Sequence, residues 1–187
     1  QALGFVEANK QPLVKQIAQG IGDRRMLIVL DNCEHLIDDV SPLASELLSA
    51  CPFLKIIATS RESLRIPGEW LYHIPTLNVP KENFTVDVTS AASFPALTLF
   101  AERARAVRAD FMLTAENIQA VAAICAQLDG LPLAIELIAT RIRLMSPQAL
   151  LERLTDSFIL SADGMRAVSA RQKTLNNAIG WSYSFLP

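Results

Sequence analysis

Polar side chains follow two apolar segments of the chain, at positions where they could bind a metal ion and an anion. Asp31 comes directly after the apolar run Met26–Leu30, and Thr59 and Arg61 close a second apolar run that begins at Leu54. An aspartate at the end of a strand can hold Mg²⁺, because this hard cation prefers carboxylate oxygens. An arginine at the end of a neighbouring strand would reach the same anion, so the two groups predict a nucleotide-phosphate site. Taken singly, Asp31 could instead cap a turn, and Arg61 could be a solvated surface residue.

The apolar pattern of residues 1–80 predicts an α/β unit. The runs Met26–Leu30 and Leu54–Thr59 are nearly continuous in apolar residues, which is typical of strands buried on both faces of a parallel sheet. A helix is predicted between them, from about residue 40 to residue 51. A strand, a helix and a second strand within this length form a right-handed crossover. A third short strand is predicted at Trp70–Ile74.

Helical periodicity replaces the strand pattern after a linker predicted at residues 81–93. Between residues 94 and 160, apolar residues recur at the spacing of one helical face in several consecutive segments. Pro132 occupies a position typical of the first turn of a helix. One more helical stripe follows Gly164. The second part of the chain is therefore predicted to be an α-helical bundle.

Composition and charge exclude several classes of protein. Seventeen Lys and Arg against nineteen Asp and Glu leave a net charge of −2, which is too balanced for a domain that coats nucleic acid. The apolar fraction of 51% excludes wholesale disorder. No apolar run reaches the length of about 18 residues that a membrane span needs, so no membrane partner is expected. Cys33, Cys51 and Cys125 lack C-x-x-C spacing, which predicts buried thiols and a cytoplasmic location.

Four segments of the chain occur in the order found in a known family. They are Leu27–Leu36, Ile56–Glu62 with Pro67–Glu69, Gly130–Glu136 and Arg171–Tyr183. In turn they resemble the Walker B segment, the sensor-1 segment, the GLPL motif and the entrance to the winged-helix domain of the STAND signal-transduction ATPases. This group contains the NB-ARC proteins and the large bacterial ATP-binding LuxR-type transcription regulators.

The resemblance implies an α/β fold in which residues 1–80 form the C-terminal part of a parallel-sheet P-loop NTPase domain. An ARC-like helical bundle would follow at residues 94–160, and a winged-helix domain would begin within residues 161–187. The phosphate-cradling loop Gly-x-x-x-x-Gly-Lys-[Ser/Thr] is absent from the sequence, because none of the five lysines follows a glycine. Family order places that loop upstream of Gln1. The chain is thus expected to be an internal fragment that does not bind ATP tightly.

The resemblance also assigns roles to residues at matching positions. Asp31 would hold Mg²⁺, and Arg61 would sense the γ-phosphate of ATP, with Thr59 in the same cofactor-binding segment. Pro132 would lie against the adenine, at the joint between the α/β and helical parts. By its residue pattern alone, Pro132 is equally well explained as a proline that starts a helix.

One position departs from the family at the predicted catalytic centre. Many relatives carry a second acid directly after the Walker B aspartate, whereas this chain has Asn32. Glu34 is the nearest acidic candidate for the catalytic base. Asparagine cannot take up a proton, so slow hydrolysis or a nucleotide-state switch is expected rather than fast turnover. Whether the parent protein hydrolyses ATP stays open.

The whole pattern predicts an ATP/ADP-dependent signalling switch of a bacterial transcription regulator, in which the nucleotide state sets domain packing. Its partners would be adenine nucleotide, other domains of the same chain and, on activation, further copies of itself, with DNA bound only through domains outside this chain. A non-catalytic interaction scaffold with a degenerate nucleotide site is an alternative, which Asn32 favours. Direct DNA binding by the helices after Ser146 is a weaker interpretation, because a winged helix would only have begun by Pro187.

Overall fold

The computed structural model describes residues 12–81 and 85–161, and the chain divides into two compact units between His73 and Ile74. The predicted winged-helix entrance at residues 161–187 lies almost wholly outside the described residues. Among the described helices, none is long and apolar enough to cross a bilayer.

The first unit is a strand–helix–strand crossover preceded by a helix. Its elements are α1 (Leu13–Ile21), β1 (Met26–Leu30), a 3₁₀ turn (Cys33–His35), α2 (Ile37–Ala50) and β2 (Leu54–Ala58). The strands pair in parallel, with Met26 opposite Leu54 and Leu30 opposite Ala58. The predicted pair of parallel strands with an intervening helix is confirmed. Helix α2 begins three residues before the predicted start, and Pro42 lies inside it.

The two strands are buried on one face of the sheet only. Side chains alternate between faces along a strand, and the inward set packs with α1 and α2 around Ile21, Leu47 and Leu54. The outward set is exposed and mostly apolar, with Leu27, Val29 and Ile57 beside the charged Lys55. The prediction of burial on both faces is therefore wrong for the described residues. A continuous apolar run shows that both faces of a strand are apolar. It does not show that other elements pack against both faces.

The predicted third strand at Trp70–Ile74 is also wrong. The sheet formed by the described residues has two strands, β1 and β2. Residues 70–74 are in no regular element, and the side chains of Trp70 and Tyr72 are 95% and 87% exposed. A strand needs a partner for its backbone groups, and none of the described strands pairs with this segment.

Within its described residues, the second unit has four helices and two 3₁₀ turns. They are a 3₁₀ turn (Ala91–Ser93), α3 (Pro95–Val107), α4 (Ile118–Gln127), α5 (Pro132–Ala139), a second 3₁₀ turn (Thr140–Arg143) and α6 (Pro147–Ser161). Phe100 and Phe111 meet at the centre of the core, with ring centroids 6.2 Å apart. Helix α5 ends at Ala139, and the chain continues directly as the second 3₁₀ turn.

A close backbone contact attaches the start of the second unit to its core. Leu77 donates its N–H to the carbonyl oxygen of Gly130, with an N···O distance of 2.9 Å. Gly130 has φ +64° and lies so close to Leu77 that a Cβ atom at position 130 would overlap the Leu77 carbonyl group. Val86, from the predicted linker, is also buried in this core. The boundary therefore falls at residue 73, whereas the sequence places it at residue 80.

Candidate functional site

The parallel register brings the two predicted polar groups to the same edge of the sheet. Leu30 is opposite Ala58, so Asp31 and Thr59 are the next residues on neighbouring strands. The backbone N–H of Thr59 donates to the carbonyl oxygen of Leu30, and the N–H of Cys33 donates to the carbonyl oxygen of Thr59, both at 2.9 Å. These bonds extend the ladder past the strand ends. In open parallel sheets, ligands bind at this carboxyl edge.

The hydroxyl of Thr59 organises the carboxylate of Asp31. It donates to Oδ1 of Asp31, and it accepts the backbone N–H of Asn32 at 2.9 Å. Asn32 has φ 60° and ψ 48°, the left-handed conformation that asparagine tolerates better than most residues. The Oδ2 atom of Asp31 makes no hydrogen bond with the described part of the chain. One carboxylate oxygen is thus fixed, and the other is available to a ligand.

Arg61 is held by Glu34 and not by Asp31. The Nε atom of Arg61 donates to Oε1 of Glu34 at 2.8 Å. The Glu34 side chain is 11% exposed, whereas the Arg61 side chain is 62% exposed. The acid is therefore sheltered by the fold, and the guanidinium group reaches into solvent. The structure brings Asp31, Thr59 and Arg61 to the same pair of strand ends, with Glu34 as the direct partner of the arginine.

The environment of Glu34 weighs against the predicted role of catalytic base. Its pKa is lowered from the ordinary value, mainly by a hydrogen bond from its own backbone N–H and further by the Arg61 guanidinium, while partial burial works in the opposite direction. A carboxylate with a lowered pKa is a weaker proton acceptor. One of its two carboxylate oxygens, Oε1, also accepts the Nε–H of Arg61.

Cys33 lies beside these groups and is buried. Burial raises the pKa of its thiol, and the nearby negative charges of Asp31 and Glu34 raise it further. Because the thiolate is the nucleophilic form of cysteine, the raised pKa disfavours a nucleophilic role for Cys33.

Sequence reasoning missed the residues that shape the loop after Arg61. The carboxylate of Glu69 accepts the backbone N–H groups of Leu64 and Arg65, both at 2.8 Å. The hydroxyl of Ser41 in α2 donates to the carbonyl oxygen of Leu64 at 2.8 Å. Pro67 and Gly68, which directly precede Glu69, are typical turn residues and could have indicated a compact loop here.

Pro132 lies in the second unit, where it is the exposed first residue of α5. It opens a helix, as its residue type predicts. Its contact with adenine stays a prediction.

The donor set at the carboxyl edge fits a magnesium–phosphate ligand. Mg²⁺ prefers oxygen ligands and usually keeps several waters, so it is bound through one or two carboxylates plus substrate phosphates. Asp31 and Thr59 supply such oxygens. No group of three or more His, Cys, Asp or Glu side chains within residues 12–81 and 85–161 could hold a metal ion by itself.

A shallow cavity of about 480 Å³ lies at the opposite, amino end of the strands. Its lining consists of Arg25, Met26, Leu27, Pro52, Phe53, Leu54 and Lys55. The guanidinium group of Arg25 stacks over the Phe53 ring at 5.9 Å from its centroid. This lining includes two cations, Arg25 and Lys55, and no acid, hydroxyl or thiol, so it offers no side-chain oxygen ligand for Mg²⁺.

Among known proteins, the chain is similar to mycobacterial proteins. The chain is similar throughout its length to a region of mycobacterial proteins whose names describe regulators of transcription. It is 41% identical over 186 residues to proteins of Mycobacterium tuberculosis and Mycobacterium bovis, each named "Putative HTH-type transcriptional regulator". That alignment covers all of this chain and 20% of each relative, so the chain spans about one fifth of their length.

A second relative is also mycobacterial. An "Uncharacterized protein" of Mycobacterium tuberculosis is 38% identical over 166 residues, which cover 89% of this chain and 39% of that protein. No family model matches the chain. No solved structure matches it either.

Proposed function

We propose that this chain is the nucleotide-dependent switch module of a bacterial transcription regulator. The observation that carries the proposal is the convergence of Asp31, Thr59 and Arg61 at the carboxyl edge of β1 and β2. The names of the mycobacterial relatives support the regulatory part of the proposal. In this function the nucleotide state is coupled to the packing of domains, which other parts of the protein read as a signal.

The fold of the first unit supports the proposal that it belongs to a parallel-sheet P-loop NTPase domain. Parallel sheets are normally covered by helices on both faces. In this unit one face of the sheet is exposed and mostly apolar, with Leu27 55% and Val29 62% exposed beside Ile57 and the charged Lys55. A larger α/β domain would bury these side chains. The helical second unit then corresponds to the GLPL-containing domain, and Pro132 would contact the adenine.

Each residue of the carboxyl edge has a defined task in this proposal. Asp31 uses Oδ2 to hold Mg²⁺, directly or through water, while Thr59 fixes Oδ1. Bound Mg²⁺ neutralises charge on the nucleotide phosphates. Arg61 contacts the terminal phosphate, because a guanidinium group recognises phosphate oxygens through paired N–H donors.

The same geometry favours a nucleotide-dependent switch rather than an enzyme that hydrolyses ATP quickly. Asn32 cannot act as a base. Glu34 is engaged by Arg61. Because Asn32 takes no proton and the lowered pKa of Glu34 makes it a weak base, hydrolysis would be slow, and ATP and ADP states would persist long enough to serve as signals.

A non-catalytic interaction scaffold is the second candidate. Asn32 favours it, because the position after the strand-end aspartate holds no acid. The two candidates differ in whether nucleotide phosphates bind at Asp31 and Arg61.

Titration of the chain with MgATP and MgADP, followed by ¹H–¹⁵N NMR, tests the proposal. The expected affinity is weak, with Kd on the order of 1 mM, because no phosphate-cradling loop is present in the sequence. ATP and ADP should shift the Arg61 Nε–H signal differently, and Arg61→Ala should abolish the difference in the backbone shifts nearby. Absence of saturable shifts with either nucleotide favours the scaffold.

A further inference from the structure

We infer that Glu34 is the positioning residue for Arg61, which it holds so that the terminal nitrogens of the guanidinium group face a phosphate ligand. The inference rests on the proposed function, because it concerns how the same site recognises its ligand. It replaces the role of catalytic base that the sequence suggests for Glu34.

Glu34 is built firmly into the end of the sheet. It lies in the 3₁₀ turn Cys33–His35, whose first N–H donates to the carbonyl oxygen of Thr59 at 2.9 Å. The turn is closed by the N–H of Leu36, which donates to the carbonyl oxygen of Cys33 at 2.9 Å. Only 11% of the Glu34 side chain is exposed. The backbone at Glu34 is therefore attached to the β-ladder, and its carboxylate lies in a mostly sheltered position beside it.

The single bond between the two side chains leaves most of the guanidinium group free. Glu34 accepts from Nε of Arg61 at 2.8 Å, and the terminal nitrogens of Arg61 make no hydrogen bond to the described residues. A guanidinium group is planar, so a bond at Nε restricts the directions in which both terminal nitrogens point. The arginine side chain is 62% exposed, which leaves these donors open to a ligand.

The pair also connects the two loops that form the site. Glu34 follows β1, and Arg61 follows β2, 27 residues later. An unanchored arginine would lose rotamer freedom only when the ligand binds, which reduces affinity. An arginine that is already oriented avoids much of that loss. Glu34 thus contributes to phosphate recognition without touching the phosphate.

The test compares two neutral variants, because both remove the charge of Glu34 and only one keeps the hydrogen-bond acceptor. Glu34→Gln retains an oxygen that can accept the Nε–H of Arg61, whereas Glu34→Ala does not. MgATP affinity of the chain is measured by NMR titration for wild type and both variants. Glu34→Ala is expected to bind MgATP about three- to tenfold more weakly than Glu34→Gln. The Arg61 Nε–H signal should move to its solvent-exposed position in Glu34→Ala alone.

Glu62→Gln is the matched control, because Glu62 is an exposed acid adjacent to Arg61 in sequence. It should leave the Arg61 Nε–H signal in place. Arg61→Lys should weaken binding as much as Glu34→Ala does, since lysine lacks the fixed fork of donors.

Two results overturn the inference while leaving the proposed function intact. Equal MgATP affinity in Glu34→Ala and Glu34→Gln would show that the acceptor does not position the arginine. Loss of ATP turnover in Glu34→Gln with unchanged affinity would assign Glu34 as a base. If wild type shows no saturable MgATP binding, the proposed function fails and the positioning role fails with it.

Discussion

Substituting Gly130 by alanine should destabilise the second unit strongly. One reason is the backbone conformation at this position, and the other is the close contact with Leu77. Gly130 has φ +64°, and a residue with a Cβ atom in this left-handed region costs about 1–2 kcal/mol. The new Cβ atom would also overlap the carbonyl group of Leu77, with the Leu77 carbonyl carbon only 3.1 Å away. Leu77 must then move, and its N–H bond to Gly130 is lost at a cost of about 1 kcal/mol. Together the two costs come to about 2–3 kcal/mol.

Urea unfolding followed by far-ultraviolet circular dichroism measures this effect, because most described helical residues belong to the second unit. Gly68→Ala is the control. Gly68 also has a positive φ, +78°, but a Cβ atom there would meet no atom within 4 Å, and it lies in the first unit. It should leave the unfolding of the second unit unchanged. A Gly130→Ala variant within about 0.5 kcal/mol of wild type would refute the reasoning, since that is the range of neutral surface substitutions.

Further predictions address the core, the thiols and the carboxyl edge. Phe100→Ala removes a fully buried ring that packs against Phe111, and it should destabilise the second unit by about 3–5 kcal/mol in the same urea assay. Cys125 is fully buried, and burial raises the pKa of its thiol to about 12, so a thiol reagent at neutral pH should modify it only after unfolding. Glu34 has a lowered pKa in the folded chain, so the stability that it contributes is present above its ordinary pKa near 4.5 and is lost as the pH falls through the folded value. Acid titration of Glu34→Gln should therefore show a smaller loss of stability in that range. Thr59→Val removes both hydroxyl bonds at the strand ends and should weaken Mg²⁺-dependent nucleotide binding about tenfold, or about 1.4 kcal/mol, whereas Thr59→Ser should retain it.

The strands and their polar ends could be predicted because local signals determine them. Two apolar runs bounded by polar residues define β1 and β2, and parallel pairing then brings Asp31 and Thr59 to one edge regardless of side-chain detail. The αL conformation of Asn32 is likewise compatible with its residue type.

Contacts between distant side chains could not be predicted in this way. The ion pair of Arg61 with Glu34 spans 27 residues, and it depends on the 3₁₀ turn after β1, for which the sequence carries no periodic signal. The overlap between Gly130 and Leu77 also depends on tertiary geometry. A strand is predicted at Trp70–Ile74, but pairing requires a partner edge, which a local pattern does not reveal.

The most direct measurement of the central claim is paramagnetic broadening of NMR signals by Mn²⁺ bound with ATP, with Mn²⁺ in place of Mg²⁺. The proposed site predicts that the backbone signals of Asp31, Asn32 and Thr59 broaden first, and that Asp31→Asn abolishes this preference. Asp23→Asn removes the same charge near the opposite end of β1 and should leave the preference unchanged. Broadening centred elsewhere, or equal in wild type and Asp31→Asn, would contradict the claim that this edge binds a metal–nucleotide complex.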